Sequence, residues 1–275
     1  MQRDTLDLPV PADAARVFFG LRAASLTPRE GADDAEKTKL RDEFFSRLGS
    51  TFMPGTPLMQ APLGLSAYLP AVIDPPEGSG LPDEVAIIVY ASRPIYNSFR
   101  DISLSRRMYT RAHAAVFDMD RAAAVFPDPI AAPATGTFLG EAAHFAYMSE
   151  NATDWQSGYT RVLFIVPAAR GEGFANDMLA RVAAAADSAA AKGIGQIVIG
   201  VTSSFAALWV HSAQPLSASA AELDLLPDNA GLMRDLDALP SMVIGDTEQG
   251  ETITGPCAFT FRFSRYLQFF ENPGG

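Results

Sequence analysis

The sequence predicts an α+β chain of two tandem ferredoxin-like repeats that together form an α+β barrel. Three observations lead there. Segments rich in β-branched and aromatic residues alternate with stretches of helical spacing, and the order strand, helix, strand, strand, helix, strand occurs twice. Two blocks of the first half recur in the second: RVFFGLRAAS (16–25) against RVLFIVPAAR (161–170), and EVAIIVYASRP (84–94) against FAALWVHSAQP (205–215). Near the C-terminus, CAFTFRFSR alternates Phe259, Phe261 and Phe263 with Thr260, Arg262 and Ser264, the pattern of a sheet with one apolar face. A split βαβ unit covers one face of its sheet with helices, so a second copy is the economical cover for the other.

The elements follow in order. RVFFGLRAAS reads as a strand by its β-branched and aromatic content. GADDAEKTKLRDEFFSRLGS reads as a helix, acidic at its start, with Leu40, Phe44, Phe45 and Leu48 at helical spacing. FMPGTPLMQAPLG is read as a loop for its prolines, and DPPEGSGLPD is turn chemistry between the strands GLSAYLPAVI and EVAIIVYAS. Pro94 to Arg121 is helical, VFPDPIAAPATG is a linker, and FLGEAAHFAYMS is a strand. RVLFIV, a long alanine-rich helix, GQIVIGVTS and FAALWVHSA follow in the second set, whose last strand is CAFTFRFSR. This assigns residues 1–125 to the first repeat, with its final strand at 136–150, 126–160 to a linker and strand, and 161–275 to the second repeat.

Charge narrows the function. Twenty-one Lys and Arg against 32 Asp and Glu leave a net charge of −11, which argues against nucleic acid. The most basic stretch, RDISLSRRMYTR, is spaced like a solvated helix face. A single cysteine, Cys257, excludes an internal disulfide and a cysteine metal cluster. No apolar run approaches the length of a membrane span and no signal core opens the chain, so a cytoplasmic, soluble protein is expected, with no membrane partner.

With this element order and these two blocks, the chain resembles the dimeric α+β barrel superfamily in its fused, two-repeat form. The resemblance spans about residues 15 to 270. It implies a pocket between sheets and a small hydrophobic molecule as ligand. The superfamily includes cofactor-free monooxygenases, small-ring isomerases and haem proteins such as chlorite dismutases, while the GxxDG signature of its dye-decolorising peroxidases is absent here. Fold alone does not name a reaction.

Alternation of faces selects the candidate site residues. Trp209 and His211 share one face of FAALWVHSA, and Ile88 and Tyr90 one face of EVAIIVYAS. Tyr90, Trp209 and His211 are therefore expected to look into the barrel, with Ile87, Val89, Leu208 and Val210 beneath the helices. His211 is the candidate acid/base or orienting group, because an imidazole titrates near neutrality. Arg22 is the candidate anion or carbonyl anchor. Tyr109 and His113, one turn apart on a helix, are further candidate pocket residues. The bland alternative is that these aromatics are core filler and the histidines structural. Three dispersed histidines do not make a stable metal site, and no cofactor is expected. Haem on one axial histidine remains an alternative.

One motif points elsewhere. In PAARGEGFA, Arg170, Gly171, Gly173 and Ala175 resemble the pyrophosphate loop of GNAT-type acetyltransferases, in which backbone N–H groups at a helix N-terminus face acetyl-CoA. The following SSFAALWVHSAQP lacks that family's Asn and Gly-Phe, so a glycine turn is the favoured reading. Three functions therefore stand open: a cofactor-free monooxygenase or isomerase acting on a hydrophobic or aromatic substrate, a GNAT-type acetyltransferase, and a non-catalytic binding or assembly protein with a homo-oligomeric or other protein partner.

Overall fold

The computed structural model describes residues 9–214 apart from 77, 168 and 169, together with residues 216 and 225. It adds the backbone of strands at 242–247, 254–255 and 258–259, and gives residues 54 and 57 by backbone alone. The first sheet contains β1 (Ala15–Gly20), β2 (Leu65–Val72), β3 (Glu84–Tyr90) and β4 (Ala123–Val125) in the spatial order β2-β3-β1-β4, with every pair antiparallel. Helices α1 (Asp34–Arg47), α2 (Met53–Gln60), α3 (Arg93–Phe99) and α4 (Leu104–Ala114) belong to this unit. After β5 (Asp128–Pro129), β6 (Ala134–Phe138) and β7 (Glu141–Tyr147) come β8 (Tyr159–Ile165), α5 (Glu172–Ser188), β9 (Ile194–Thr202), β10 (Ala206–Ser212) and β11 (Met242–Thr247). The second sheet runs β11-β8-β10-β9-β7-β5, with β6 paired to β7. The architecture is α+β. Within each sheet four strands follow the order that a split βαβ connection produces, and β1 and β8, then β3 and β10, occupy equivalent places in it. A last pair, β12 (Thr254–Gly255) and β13 (Ala258–Phe259), forms a two-stranded sheet of its own.

The two sheets pack face to face. Val17 and Phe19 of β1, Leu69 of β2 and Ile87 of β3 share one core with Phe145, Phe164, Val198 and Trp209 of the second sheet and with Phe205, just before β10. Phe19 meets the ring of Phe205 at 4.8 Å and that of Phe145 at 5.3 Å. Trp209 Nε1 donates to the Leu69 carbonyl at 3.1 Å, tying one sheet to the other. Gly200 of β9 makes the approach feasible, because any Cβ there would run into the Phe19 ring and the Val17 methyl group. Outside this sandwich, α1, α2 and α4 cover the far face of the first sheet, with Phe44, Phe52 and Tyr109 in the shared core. Helix α5 covers the far face of the second through Met178 and Val182.

Several sequence expectations change. FMPGTPLMQ is helical: a π turn at Leu48–Phe52 carries α1 into α2, and Phe52, Met53, Thr56 and Gln60 are buried beneath it. Apolar burial outweighs proline composition there. The segment 136–150 is a hairpin through Leu139 and Gly140, both at positive φ, and β7 joins the second sheet beside β9 instead of closing the first. β4 is the strand that completes the first sheet. The fourth strand of the second set is β11, not CAFTFRFSR, of which the structure describes Ala258–Phe259 alone. Cys257, Phe261 and Phe263 lie outside the described residues.

Gly200→Ala should force the Phe19 ring from its position and destabilise the sandwich by about 1–3 kcal/mol. Urea unfolding is expected to show a lower midpoint with an unchanged slope.

Candidate functional site

Strand alternation sends Glu84, Ala86, Ile88 and Tyr90 of β3 to the helix side of the first sheet, and Val85, Ile87 and Val89 to the side facing the second sheet. Tyr90 therefore lies under the helices and not between the sheets, contrary to the sequence expectation. The cause is a slip of one residue. β1 pairs Val17 with Ile87, and β8 pairs Val162 with Trp209, so Ile87 is the counterpart of Trp209. The shared Ala, Val and Pro of the two blocks match Ile88 to Trp209 instead, and a one-residue slip exchanges the faces. In β10, Trp209 faces the first sheet, and Leu208 and Val210 face α5.

The candidate residues thus separate. Trp209 is fully buried in the inter-sheet core, where aromatic rings occupy the space expected to be a pocket. His211 is buried near the end of the same strand, 3.1 Å through Nδ1 from the Thr160 hydroxyl, with its ring tilted against Trp155 at 5.1 Å. Tyr90, Tyr109 and His113 sit together in the helix-covered layer of the first unit. Arg22 lies after β1, paired with Asp83 at 2.5 Å and stacked over Phe44. His211 therefore does not meet Tyr109 or His113.

The helix-covered layer carries an unusual density of buried polar groups. Glu84, the first residue of β3, has no exposed surface. Its Oε1 accepts from the Tyr68 hydroxyl of β2 at 2.8 Å, and its Oε2 has no hydrogen-bond partner among the described residues. Farther along β3, the Tyr90 hydroxyl donates to Gln60 Oε1 at 3.1 Å, while Gln60 Nε2 is likewise unpartnered. Tyr109 and His113 enter from α4 at i and i+4, with rings 4.0 Å apart, and Phe52 of the π turn closes over both. His113 Nδ1 lies 3.2 Å from the Tyr109 carbonyl and is held there as a donor. At the Tyr90 end, Arg16 donates to the Tyr96 hydroxyl at 2.8 Å.

Burial sets the protonation states. An ionised carboxylate with one unpaired oxygen is costly in this apolar layer, so burial pushes Glu84 up to about 8 against the opposing hydrogen bond from Tyr68. Burial also raises the Tyr68 and Tyr109 phenols, and Glu84 adds to both shifts. His113 is pushed down to about 3 by burial and is neutral at ordinary pH. The layer therefore holds a neutral acid, neutral phenols and a neutral imidazole, and Glu84 is the member poised to exchange a proton near neutrality. Unpaired buried polar atoms are uncommon in folded proteins, and Glu84 Oε2 and Gln60 Nε2 are two of them in this one layer.

Glu84, Tyr68 and Gln60 were missed by reading the sequence. The available signal was Glu84 itself, a carboxylate opening the apolar run EVAIIVY on the same alternation as Tyr90. Among the described residues no group of three or more His, Cys, Asp or Glu is arranged to hold a metal, and no helix is long and apolar enough to cross a membrane.

The PAARGEGFA motif serves α5. Ala175 is buried beneath the helix, the Gly171 N–H donates to the Ser203 carbonyl at 2.9 Å, and Arg170 donates to the Ser79 carbonyl. Gly171 is extended and Gly173 helical, with open space around both, so no left-handed turn calls for these glycines. β8 and β9, the strands flanking the loop and helix, are separated by β10.

No protein family and no curated protein sequence matches the chain. Solved structures resemble it at low identity, three of them as follows. A putative monooxygenase from Lactobacillus acidophilus NCFM is 10% identical with a TM-score of 0.34, over 90% of this chain and 93% of the other. A putative monooxygenase from Fusobacterium nucleatum subsp. nucleatum is 9% identical with a TM-score of 0.35, over 94% of each. An anthrone oxidase-like protein is 8% identical with a TM-score of 0.30, over 90% of this chain and 89% of the other. The α+β assignment rests on the strand order and sheet packing described above.

The two shifted groups give stability opposite slopes. Glu84 keeps its proton in the folded state up to about 8 but loses it near 4.5 when unfolded, so its contribution falls as pH rises between those values. His113 stays neutral when folded but gains a proton below about 6.5 when unfolded, so its contribution falls as pH drops from there toward 3. Glu84→Gln is expected to flatten the loss on the alkaline side, and His113→Phe the loss on the acid side. Thermal unfolding from pH 4 to 9 reads both, and a Glu84→Gln curve parallel to the parent would contradict the assignment.

Proposed function

We propose that the protein is a small-molecule enzyme of the cofactor-free monooxygenase or isomerase kind, acting on a hydrophobic, aromatic substrate at Glu84 beneath the first helix layer. The observation that carries this reading is the buried Glu84 carboxyl, held through Oε1 by Tyr68 and left with Oε2 unpartnered. Phe52, Tyr109 and His113 supply aromatic walls, and Gln60 Nε2 offers a donor toward a carbonyl or hydroxyl. Two further expectations belong with this proposal: that the two split βαβ units are copies of one ancestral repeat, and that the pair forms an α+β barrel. Their matching strand order supports both.

The chemistry follows from the proton. Glu84 in its ionised form takes a proton from an acidic C–H of the substrate, with Tyr68 fixing the carboxyl so that Oε2 performs the exchange. In an isomerase the carbanion is reprotonated at another carbon. In a monooxygenase dioxygen, as co-substrate, accepts its electrons: a CH2 group and O2 become C=O and H2O, one oxygen atom going to each product. The aromatic layer keeps bulk water from protonating the carbanion first.

Oxygen uptake with anthrone, a tricyclic ketone bearing an acidic methylene, tests the reading. The rate should rise as pH passes through about 8, where Glu84 ionises. Glu84→Gln is expected to lower the rate by about 100-fold or more, the scale of a lost general base. Uptake that is unchanged in Glu84→Gln and flat with pH would contradict it.

A further inference from the structure

A cleft of about 590 Å³ opens at the end of the first sheet, between α1 and the loop joining β2 to β3. Its volume lies within the range of small-molecule sites. Four cationic side chains line it, Arg22, Lys37, Arg41 and Arg121, in a chain whose net charge is −11. Leu21, Leu81 and Leu139 give it an apolar part.

Two carboxylates in the cleft have different standing. Asp83 is built in: its Oδ2 accepts from the Arg22 backbone N–H and its Oδ1 from Arg22 Nε, both at 2.7 Å. Asp74 is held at some cost. It adopts φ 50°, a left-handed conformation that Asp tolerates better than most residues with a side chain but that the following proline disfavours. From there its carboxylate accepts from Arg41 Nε at 3.0 Å and lies 3.8 Å from Arg22. The Asp74 carboxylate thus occupies the place of an external anion between two guanidinium groups, on a backbone that gains by releasing it.

We propose that this cleft binds an amphipathic organic carboxylate, whose head exchanges for Asp74 at Arg41 and whose apolar body lies on Leu81 and Leu139. Neither Lys37 nor Arg41 has to be unpaired for this, since the incoming carboxylate replaces a partner of the same charge. The acidic remainder of the molecule repels anions in general, so binding depends on the local cations and the apolar contact together.

Calorimetric titration of the full chain with sodium octanoate tests the proposal, with octanol as the neutral analogue and inorganic phosphate as the purely anionic one. Octanoate is expected to bind one per chain, at least tenfold tighter than either comparison compound. Arg41→Gln should weaken it about tenfold. Asp74→Gly should tighten it severalfold, because glycine relaxes the left-handed position and removes the internal competitor; Asp74→Asn, which keeps the side-chain volume, should shift affinity in the same direction. Glu84→Gln should leave octanoate affinity unchanged, because Glu84 is not among the residues that line the cleft, so this result is separate from that of oxygen uptake. Octanol binding as well as octanoate, phosphate binding as tightly, or insensitivity to both Arg41 and Asp74 substitution would overturn the proposal.

Discussion

The contact of Phe19 with Gly200 is the constraint on which the rest depends. It lets a ring from β1 lie directly on the backbone of β9, and so lets the inner faces of both sheets close into one aromatic core. Once that face of the first sheet is used, polar side chains on β2 and β3 have only the helix side left. Tyr68, Glu84 and Tyr90 are therefore collected under α2 and α4. The space between the sheets, where a barrel pocket was expected, supplies cohesion, and the layer outside the first sheet holds the titratable groups.

That division has an energetic cost. A buried neutral carboxyl with one unsatisfied oxygen and a buried amide with an unsatisfied N–H each forfeit hydrogen bonds they would make in water. The aromatic packing around them, Phe52 against Tyr109 and His113 above all, offsets this. Local rules broken inside an otherwise consistent fold tend to mark functional places, and a ligand that meets both groups would recover part of the loss. The second unit follows the same strand order without such a centre among its described residues: its helix face is aliphatic, with Met178, Val182, Leu208 and Val210.

Much of the fold was legible in the sequence because period-2 and helical patterns report burial directly. The match of RVFFGLRAAS to RVLFIVPAAR even preserved faces, since Val17 and Val162, and Phe19 and Phe164, all look into the sandwich. The match of EVAIIVYAS to FAALWVHSA did not, because alanine and valine recur often enough to align one residue away from the true register, and one residue inverts a strand. Tyr90 was lost to the barrel by that step alone. The α2 helix was hidden by its prolines; β7 was legible as a strand, but its pairing with β9 is a long-range choice that local composition does not encode. Glu84 was missed for a different reason: a charged residue at a strand start usually reads as a solvated edge, and only the cover of the helix layer makes it interior.

Infrared spectroscopy of the protein with isotope-labelled glutamate side chains tests directly whether a neutral carboxyl is stored in the first helix layer. A protonated carboxyl stretch should be present at pH 7, titrate away near pH 8 and be missing from Glu84→Gln. If that spectrum shows only ionised glutamates at pH 7 in the parent protein, Glu84 is not the buried acid described here and the site built around it does not stand.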